Sequence, residues 1–328
     1  MANTMATKTI KKKLVLHTFP PVPNSYSFSP FGLKVESFLR INTIPYETLY
    51  TSSFGKNKTI PYLRIFESDQ NKTDDSNAFD EVSDSNEIIA FLLTNPEYDT
   101  SLCEEENLTR EQQAISHSCL RMLEEHTAQT GFYYRYNLNM PEFCEATQVR
   151  ERVFMGDESK MGNMIFGFFK KSLAKGWDKK AAARGYMRYS SPDVVWAMAC
   201  EDLQALEDLL ASTTEDQTYF FGRAHPGVLD CTVFGHLSQF LYIAIDFPQK
   251  IYLQENCPTL LRFMERFKET HFPDWETLCQ RQPNDGLRAD NPRVLAMQKK
   301  MKRKALSAMA VMVGVVSVVY QIYRKHSK

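Results

Sequence analysis

The sequence predicts an α/β domain, then an all-α domain, and then a single C-terminal transmembrane helix. Three observations carry this prediction. Short β-branched runs alternate with capped helical runs before residue 96, helical stripes follow one another from residue 109 to residue 279, and residues 305–323 contain no charged side chain. With 328 residues, the chain is long enough to bury a sizeable core in one large domain or two smaller ones.

Composition limits the classes of function. Hydrophobic residues make up 43% and charged residues 24% of the chain, which is an ordinary balance for a globular protein. The formal net charge is −1 and no long basic stripe stands out, so nucleic acid is not expected as a partner. The seven cysteines are widely spaced and form no CxxC pair, so no metal site is expected and a reducing compartment is favoured.

Residues 1–96 are predicted to follow the order β-α-β-β-(β)-α. Apolar, β-branched runs predict strands at residues 12–19, 46–50 and 61–66. Ser29 before Pro30 is a favourable N-cap and N1 pair, so the first helix is predicted to begin there. Residues 83–85 precede a second helical run in the same way. Two β-α-β halves on one mixed sheet would make a thioredoxin-like domain.

Residues 97–279 are predicted to be all-α, because apolar side chains recur at helical spacing. The evidence is two stripes, a long apolar run and a helix start: Ile115, Cys119, Met122 and His126; Trp196, Cys200, Leu203, Leu206 and Leu210; residues 227–244; and Cys257-Pro258. The polar and basic residues 280–304 are predicted to form a linker.

Residues 305–323 are predicted to anchor the chain in a membrane. As a helix they would span about 28 Å, close to the thickness of the hydrocarbon core. Basic clusters flank the run on both sides, which does not suit the alternative of a buried core helix. The N-terminal domains would then lie in the cytosol. Because the run is short and only moderately apolar, a thin membrane is favoured, with the mitochondrial outer membrane first and the endoplasmic reticulum second.

Six stretches spread over residues 12–278 carry a family resemblance. They are SPFGLKVESFLRINTIPYE (29–47), TIPYL (59–63), DSNEII (84–89), RMLEEHT (121–127), FFGRAHPGVLDCTVFGHLSQFLY (220–242) and HFPDW (271–275). Together they resemble the failed axon connections family, which is related to metaxins and is glutathione-transferase-like. The resemblance implies a thioredoxin-like half, a glutathione-transferase-like helical half and membrane association. A similar layout with a C-terminal anchor occurs in the ganglioside-induced differentiation-associated family of mitochondrial outer membrane proteins.

The resemblance also implies a site for glutathione. Ser29-Pro30-Phe31-Gly32 resembles the active-site turn of glutathione transferases, so Ser29 is the candidate catalytic residue. Thr59-Ile60-Pro61-Tyr62 resembles the segment that carries their cis-proline, and Asp84-Ser85 resembles the pair that binds the γ-glutamyl end of glutathione. The candidate glutathione-binding residues are therefore Ile60, Pro61, Asp84 and Ser85.

These residues also have simpler explanations. A hydroxyl at a helix N-terminus would favour a bound thiolate, but capping alone explains a serine before Pro30. Asp84 and Ser85 would likewise cap the helix that follows them. The nearby hydroxyls of residues 25–27 are alternatives to Ser29. Since position 29 is not a cysteine, thiol-transfer chemistry, which needs a protein thiolate, is disfavoured.

Three predictions concern the helical half. Arg121 and Glu125 are four residues apart and are expected to form a surface ion pair. His117 and His126 lie on opposite helix faces and so cannot share a metal ion, and His126 is expected to be a hydrogen-bonded core residue. Residues 160–188 mix aromatic and basic side chains, which fits an anionic membrane surface, a ligand groove or a solvated helix with one buried face.

The sequence therefore leaves three functions open. The first is a membrane-anchored binding or scaffold protein on the cytosolic face, with protein partners and a homodimer among the expected assemblies. The second is an active glutathione transferase that conjugates apolar electrophiles at a membrane. The third is a metaxin-like component of mitochondrial outer membrane protein import.

Overall fold

The fold is described over six stretches of the chain. The computed structural model describes residues 12–51, 53–67, 80–103, 108–153, 160–212 and 219–280. Within these ranges, none of the helices is long and apolar enough to cross a membrane. The predicted anchor at residues 305–323 and all but the first residue of the predicted linker lie outside the described residues.

Four strands form one mixed sheet in the order β2-β1-β3-β4. β1 (Lys12–Thr18) pairs in parallel with β2 (Glu47–Tyr50), and α1 (Pro30–Ile41) connects these two strands. β3 (Tyr62–Glu67) runs antiparallel to β1. The prediction of a thioredoxin-like α/β half is therefore confirmed in its elements and in its mixed sheet.

The second half of this sheet differs from the predicted β-α-β unit. β4 (Asp80–Ser83) is antiparallel to β3, and α2 (Ser85–Thr94) follows both strands rather than lying between them. Antiparallel neighbours do not need a crossover helix, so the unit is β-β-α. The described residues between β2 and β3 contain no helix either.

The rest of the described chain is helical, as predicted. Two π-helical turns interrupt its first long helical run. The elements are α3 (Arg110–Met122), the π turn Leu123–Thr127, α4 (Ala128–Tyr133), the π turn Tyr134–Leu138, α5 (Met140–Thr147), α6 (Val149–Val153), α7 (Lys160–Ala183), α8 (Asp193–Ala211), α9 (Val228–Leu241), α10 (Pro248–Asn256), α11 (Pro258–His271) and α12 (Trp275–Cys279).

The two halves meet where α1 packs against α9. Every residue of α9 from Leu229 to Phe240 is buried, which explains why this helix is apolar on most of its surface. A Cβ at Gly235 would lie 2.7 Å from the carbonyl oxygen of Pro30 and 2.9 Å from the backbone nitrogen of Lys34. Glycine at this position therefore permits the close approach of the two helices.

The start of α9 is fixed by the Asp230 carboxylate. It accepts hydrogen bonds from the backbone N–H groups of Gly227 at 2.8 Å and Phe220 at 3.0 Å. The first bond satisfies a donor at the N-cap that the helix geometry leaves open, and the second holds the preceding segment against the helix. Asp230, three residues after Gly227, thus links the start of α9 to the segment that precedes the helix.

Candidate functional site

The predicted site residues lie around one end of the sheet. The antiparallel register places His17 opposite Tyr62, so the end of β1 lies beside the start of β3 and therefore beside Pro61. The backbone N–H of Asp84 donates to the carbonyl oxygen of Pro61 at 3.3 Å, which joins the end of β4 to the same place. Gly32 of α1 lies against the Thr18 hydroxyl, which brings the start of α1 to this end.

Ser29 occupies the N-cap position of α1, as predicted, but its side chain makes no capping hydrogen bond. Its carbonyl oxygen accepts from the backbone of Leu33 at 3.3 Å, and its own N–H donates to the Ser27 hydroxyl at 3.0 Å. The residue is only 6% exposed. Capping therefore does not explain why a hydroxyl stands at this position, although burial limits access to it.

The neighbouring hydroxyls are engaged in internal contacts. Ser25 donates to the carbonyl oxygen of Ser27 at 2.9 Å. The Tyr26 hydroxyl donates to the Glu36 carboxylate at 2.9 Å and accepts from Arg40 at 2.7 Å. Burial, together with the nearby Glu36, raises the pKa of Tyr26 far above its ordinary value, so its phenol stays protonated. The Ser27 hydroxyl accepts from the backbone N–H of Ser29, so none of the three hydroxyls at residues 25–27 is placed to activate a thiol.

Two residues of the helical half hold the segment that leads into α1. The Arg135 guanidinium is fully buried and donates to the carbonyl oxygens of Phe28 at 3.1 Å and Gln239 at 3.2 Å. The Gln239 amide donates to the carbonyl oxygen of Ser27 at 3.0 Å. Burial lowers the pKa of Arg135 to about 10, which still leaves it charged at neutral pH.

The Ile60-Pro61 peptide bond is cis, as the resemblance implies. Both residues are buried at the entrance to β3. Asp84 is exposed, and its carboxylate caps α2 by accepting from the backbone N–H of Asn86 at 2.8 Å. The adjacent Ser85 is 1% exposed, and its hydroxyl has no hydrogen-bond partner in the described part of the chain. The capping explanation thus holds for Asp84 and not for the Ser85 side chain.

A buried ion pair, which was not expected from the sequence, contacts Asn86, the residue that follows Ser85 in α2. Lys34 of α1 donates to the Glu124 carboxylate at 2.7 Å and to the side-chain oxygen of Asn86 at 2.6 Å. Asn86 in turn donates to the other Glu124 oxygen at 2.9 Å. Burial alone would raise the pKa of Glu124, but the Lys34 ammonium lowers it below its ordinary value. The cluster joins α1, α2 and the π turn after α3.

Two family models match the chain over the parts just described. The model of the glutathione S-transferase N-terminal domain matches residues 30–143, and the model of the C-terminal domain matches residues 199–267. The chain is a glutathione-transferase-like protein. Its predicted resemblance to failed axon connections is confirmed by Failed axon connections of Drosophila melanogaster, which is 29% identical over 279 residues. That alignment covers 82% of this chain but only 60% of the fly protein.

Solved structures of the same class are also similar to the chain. A rice glutathione transferase in complex with glutathione is 14% identical to this chain, with a TM-score of 0.49. The alignment covers 88% of this chain and 98% of the rice protein. A glutathione transferase family member from Pseudomonas fluorescens with two glutathione molecules bound is 14% identical to this chain, with a TM-score of 0.48. The alignment covers 83% of this chain and 94% of the bacterial protein.

Burial makes several cysteines of this glutathione-transferase-like protein poor nucleophiles. All seven are free thiols, and four of them are buried. Burial raises the pKa of the Cys257 and Cys279 thiols to about 12, and it also raises the pKa of Cys119. A thiol with a raised pKa is a poor nucleophile at neutral pH. Among the described residues, no group of His, Cys, Asp and Glu side chains is arranged to hold a metal ion.

The predicted pairing of Arg121 with Glu125 is wrong. Arg121 contacts Glu124 at 3.3 Å, and Glu125 contacts Arg184 at 3.6 Å. Residues three apart on a helix are neighbours just as residues four apart are, and Glu125 is paired with Arg184 from another part of the chain. His126 is hydrogen-bonded, as predicted, through its Nδ1 to Asp202 at 2.6 Å, but it lies at the edge of the core.

A polar cavity lies apart from the predicted glutathione site. It has a volume of about 260 Å³ and lies between the loop after β1, the α5–α6 junction and α12. The Arg152 side chain lines it, donating to the carbonyl oxygen of Pro21 at 3.0 Å and to the side-chain oxygen of Gln148 at 3.1 Å. None of the predicted site residues lines this cavity.

Proposed function

We propose that this glutathione-transferase-like protein acts mainly as a binding or scaffold protein on the cytosolic face of a membrane. The observation that supports this proposal is the state of the segment before α1. The hydroxyls of residues 25–27 in this segment make internal hydrogen bonds, and Arg135 and Gln239 of the helical half hold the segment's backbone. A segment that is buried and fixed in this way is not arranged for turnover, which favours binding over catalysis, and only Ser29 keeps a hydroxyl outside these bonds.

Attachment to the membrane belongs to the same proposal. Residues 305–323 would form a single-pass C-terminal anchor with the preceding domains in the cytosol. The mitochondrial outer membrane is favoured and the endoplasmic reticulum is second, because the uncharged run is short. A test would compare the full chain with a chain that ends at Lys304, by alkaline extraction of cell membranes. Release of the full chain into the soluble fraction would overturn the anchor.

Glutathione is the ligand proposed for the site. Asp84 is exposed beside the N-terminus of α2 and could take the α-amino group. The Ser85 hydroxyl lies at the first position of the same helix, where a carboxylate is favoured. Titration of the full chain with glutathione by calorimetry tests this, and we expect Ser85→Ala to weaken binding while Ser53→Ala, at an exposed position, does not.

An active glutathione transferase is the second candidate. One observation favours it: the Ser29 side chain makes no capping bond at the N-terminus of a 12-residue helix. The test is conjugation of a generic electrophile by the full chain and by Ser29→Ala. Turnover that is lost in Ser29→Ala would establish the enzyme and overturn the scaffold. Stable co-purification with the outer membrane import machinery would favour the metaxin-like alternative instead.

A further inference from the structure

One face of α7 is open to solvent along most of its length. Met164, Phe168, Lys171, Lys175 and Lys179 follow one another at spacings of three or four residues, so they form a single stripe. All five side chains are exposed, and Phe168 is 53% exposed. We call these five residues the outer face of α7. A helix of 24 residues is about 36 Å long, so the face is extended.

The opposite face holds α7 on the helical half. Leu173 and Trp177 pack against the main core, and the Trp177 ring lies 4.8 Å from the Phe132 ring and 5.0 Å from the Tyr136 ring. These contacts fix the rotation of the helix about its axis. The outer face is therefore turned away from the core by packing, and its exposure is a property of the fold.

The outer face carries concentrated positive charge. Residues 160–188 contain eight basic side chains and a single acidic one, Asp178, in a chain whose net charge is −1. Asp178 accepts a hydrogen bond from Asn137 at 2.6 Å. Lys170 and Lys180 lie over the rings of Phe166 and Trp177. By contrast, no carboxylate of the described residues forms an ion pair with the three lysines of the outer face.

Exposed apolar side chains are concentrated in the same part of the chain. Of the eight large hydrophobic residues that are most exposed in the described ranges, five lie between residues 164 and 194. Phe168 and Met164 continue the line of lysines along the helix. An aromatic or methionine side chain gains little from the phosphates of a nucleic acid duplex, but it enters the boundary between headgroups and acyl chains of a bilayer.

We propose that the outer face of α7 binds the surface of a bilayer that contains anionic lipids. The helix lies in the plane of the membrane, Phe168 and Met164 enter the headgroup region, and the three lysines face the negative lipid headgroups. This contact is separate from the proposed anchor at residues 305–323. It would hold the helical half against the membrane and fix which side of the protein faces the cytosol.

A photo-crosslinking experiment on the full chain tests this contact. Phe168 is replaced by benzoylphenylalanine, and the chain is reconstituted in phosphatidylcholine vesicles with and without phosphatidylserine. Ile251 on α10, which is 46% exposed, carries the same probe as the control for exposure alone. A third probe at Val313 reports on the anchor. We expect lipid adducts at position 168 with anionic vesicles, few at position 251, and a loss at high ionic strength.

Charge reversal provides the second arm. Lys171→Glu with Lys175→Glu should lower the adduct yield at position 168 by at least about 25-fold, since each basic residue near an anionic surface contributes about fivefold in binding. Lys56→Glu with Lys58→Glu, two exposed lysines of a distant loop, should leave it unchanged.

The outcomes separate this proposal from the anchor. Adducts at Val313 without adducts at position 168 would overturn the α7 contact and keep the anchor. Adducts at position 168 without adducts at Val313 would keep the α7 contact and overturn the anchor. Equal yields with neutral and anionic vesicles would also overturn the α7 proposal.

Discussion

At the scale of single residues, buried charged and titratable side chains have a large effect on the stability of the protein. Lys34 and Glu124 are 1% and 4% exposed, and both have exchanged their hydration for each other and Asn86, with Arg121 as a second cation beside Glu124. A buried ion pair adds little stability compared with an apolar pair of the same volume, but removing one partner leaves an uncompensated charge. The pair therefore makes the contact between α1 and the π turn specific.

Replacing one partner of this buried pair should be costly. We expect Lys34→Met to lower the free energy of unfolding by about 3 kcal/mol, because the buried Glu124 carboxylate then keeps only the half-exposed Arg121 as a cation. Denaturant unfolding of the full chain measures the change. Lys13→Met is the matched control, since the Lys13–Glu47 pair is partly exposed and should contribute at most about 1 kcal/mol.

A double substitution distinguishes the pair from simple packing. Lys34→Met combined with Glu124→Leu should recover most of the stability lost in either single variant, because no buried charge remains. If the losses of the two single variants add in the double variant, the ion pair is not the cause of the destabilisation.

His236 should make the stability of the fold depend on pH. It is buried in α9, its Nδ1 lies 2.9 Å from the carbonyl oxygen of Thr232, and burial lowers its pKa to about 4 from an ordinary value of 6.5. The unfolded chain then binds more protons between these values, so the free energy of unfolding falls as the pH is lowered from 6.5 to about 4.

The size of this effect is about 3 kcal/mol over the full window. Denaturant unfolding at a series of pH values measures it, and His236→Gln, which cannot titrate, is expected to lose this part of the slope. Other titrating groups contribute alike to the parent chain and to His236→Gln. The informative quantity is therefore the difference between the two slopes of unfolding free energy against pH. An identical slope in His236→Gln would show that the imidazole is solvated or charged in the folded protein.

At the scale of elements, helix starts were predictable and helix partners were not. Ser29 with Pro30, and Asp84 before α2, mark helix starts because caps are local and depend on neighbouring residues. The Arg121–Glu125 prediction failed because Arg121 pairs with its i,i+3 neighbour Glu124, and Glu125 pairs with the distant Arg184. The π turn after α3 was not predicted either. Nothing in the local sequence of residues 121–127 distinguishes a π turn from an α-helical one.

The contact between α1 and α9 gives a prediction about two glycines. Gly235→Ala would bring a methyl group to within 3 Å of the α1 backbone, which cannot yield easily, so we expect a loss of about 1–3 kcal/mol. Gly176→Ala on α7 is the control, because no atom lies within 4 Å of its Cβ position. Alanine favours the helix there and should add about 0.5–1 kcal/mol.

Thermal unfolding of the two glycine variants beside the parent chain makes the comparison. Opposite shifts of the melting temperature are expected, downward for Gly235→Ala and upward for Gly176→Ala. If Gly235→Ala also raises the melting temperature, helix propensity outweighs the close approach, and the distance between α1 and α9 is not a constraint on the fold.

On the scale of the whole molecule, long-range polar contacts join the two halves. Arg40 at the end of α1 forms two hydrogen bonds with Asp274 at 2.6 and 2.8 Å, across 234 residues of sequence. Arg135 reaches Phe28 across 107 residues. The general layout of the fold was predictable from local patterns and family resemblance. These contacts were not, because the spacing of residues along a chain does not show which distant charges meet.

Such contacts predict that the two halves unfold together. If β1 or α1 separated from the helical half, Arg135 and Lys34 would lose partners that no local segment replaces, so partial opening should cost nearly as much as global unfolding. Native-state hydrogen exchange, followed by mass spectrometry at increasing denaturant, measures the opening free energy of each peptide. We expect peptides from β1 and β3 to converge on the same value as peptides from α9 and α11. Exposed segments such as residues 53–59 should open at lower free energy.

A β1–β3 unit that exchanges well below α9, with its own denaturant slope, would show that the halves are separate cooperative units. In that case, the polar contacts across the α1–α9 boundary would orient the halves without coupling their stability.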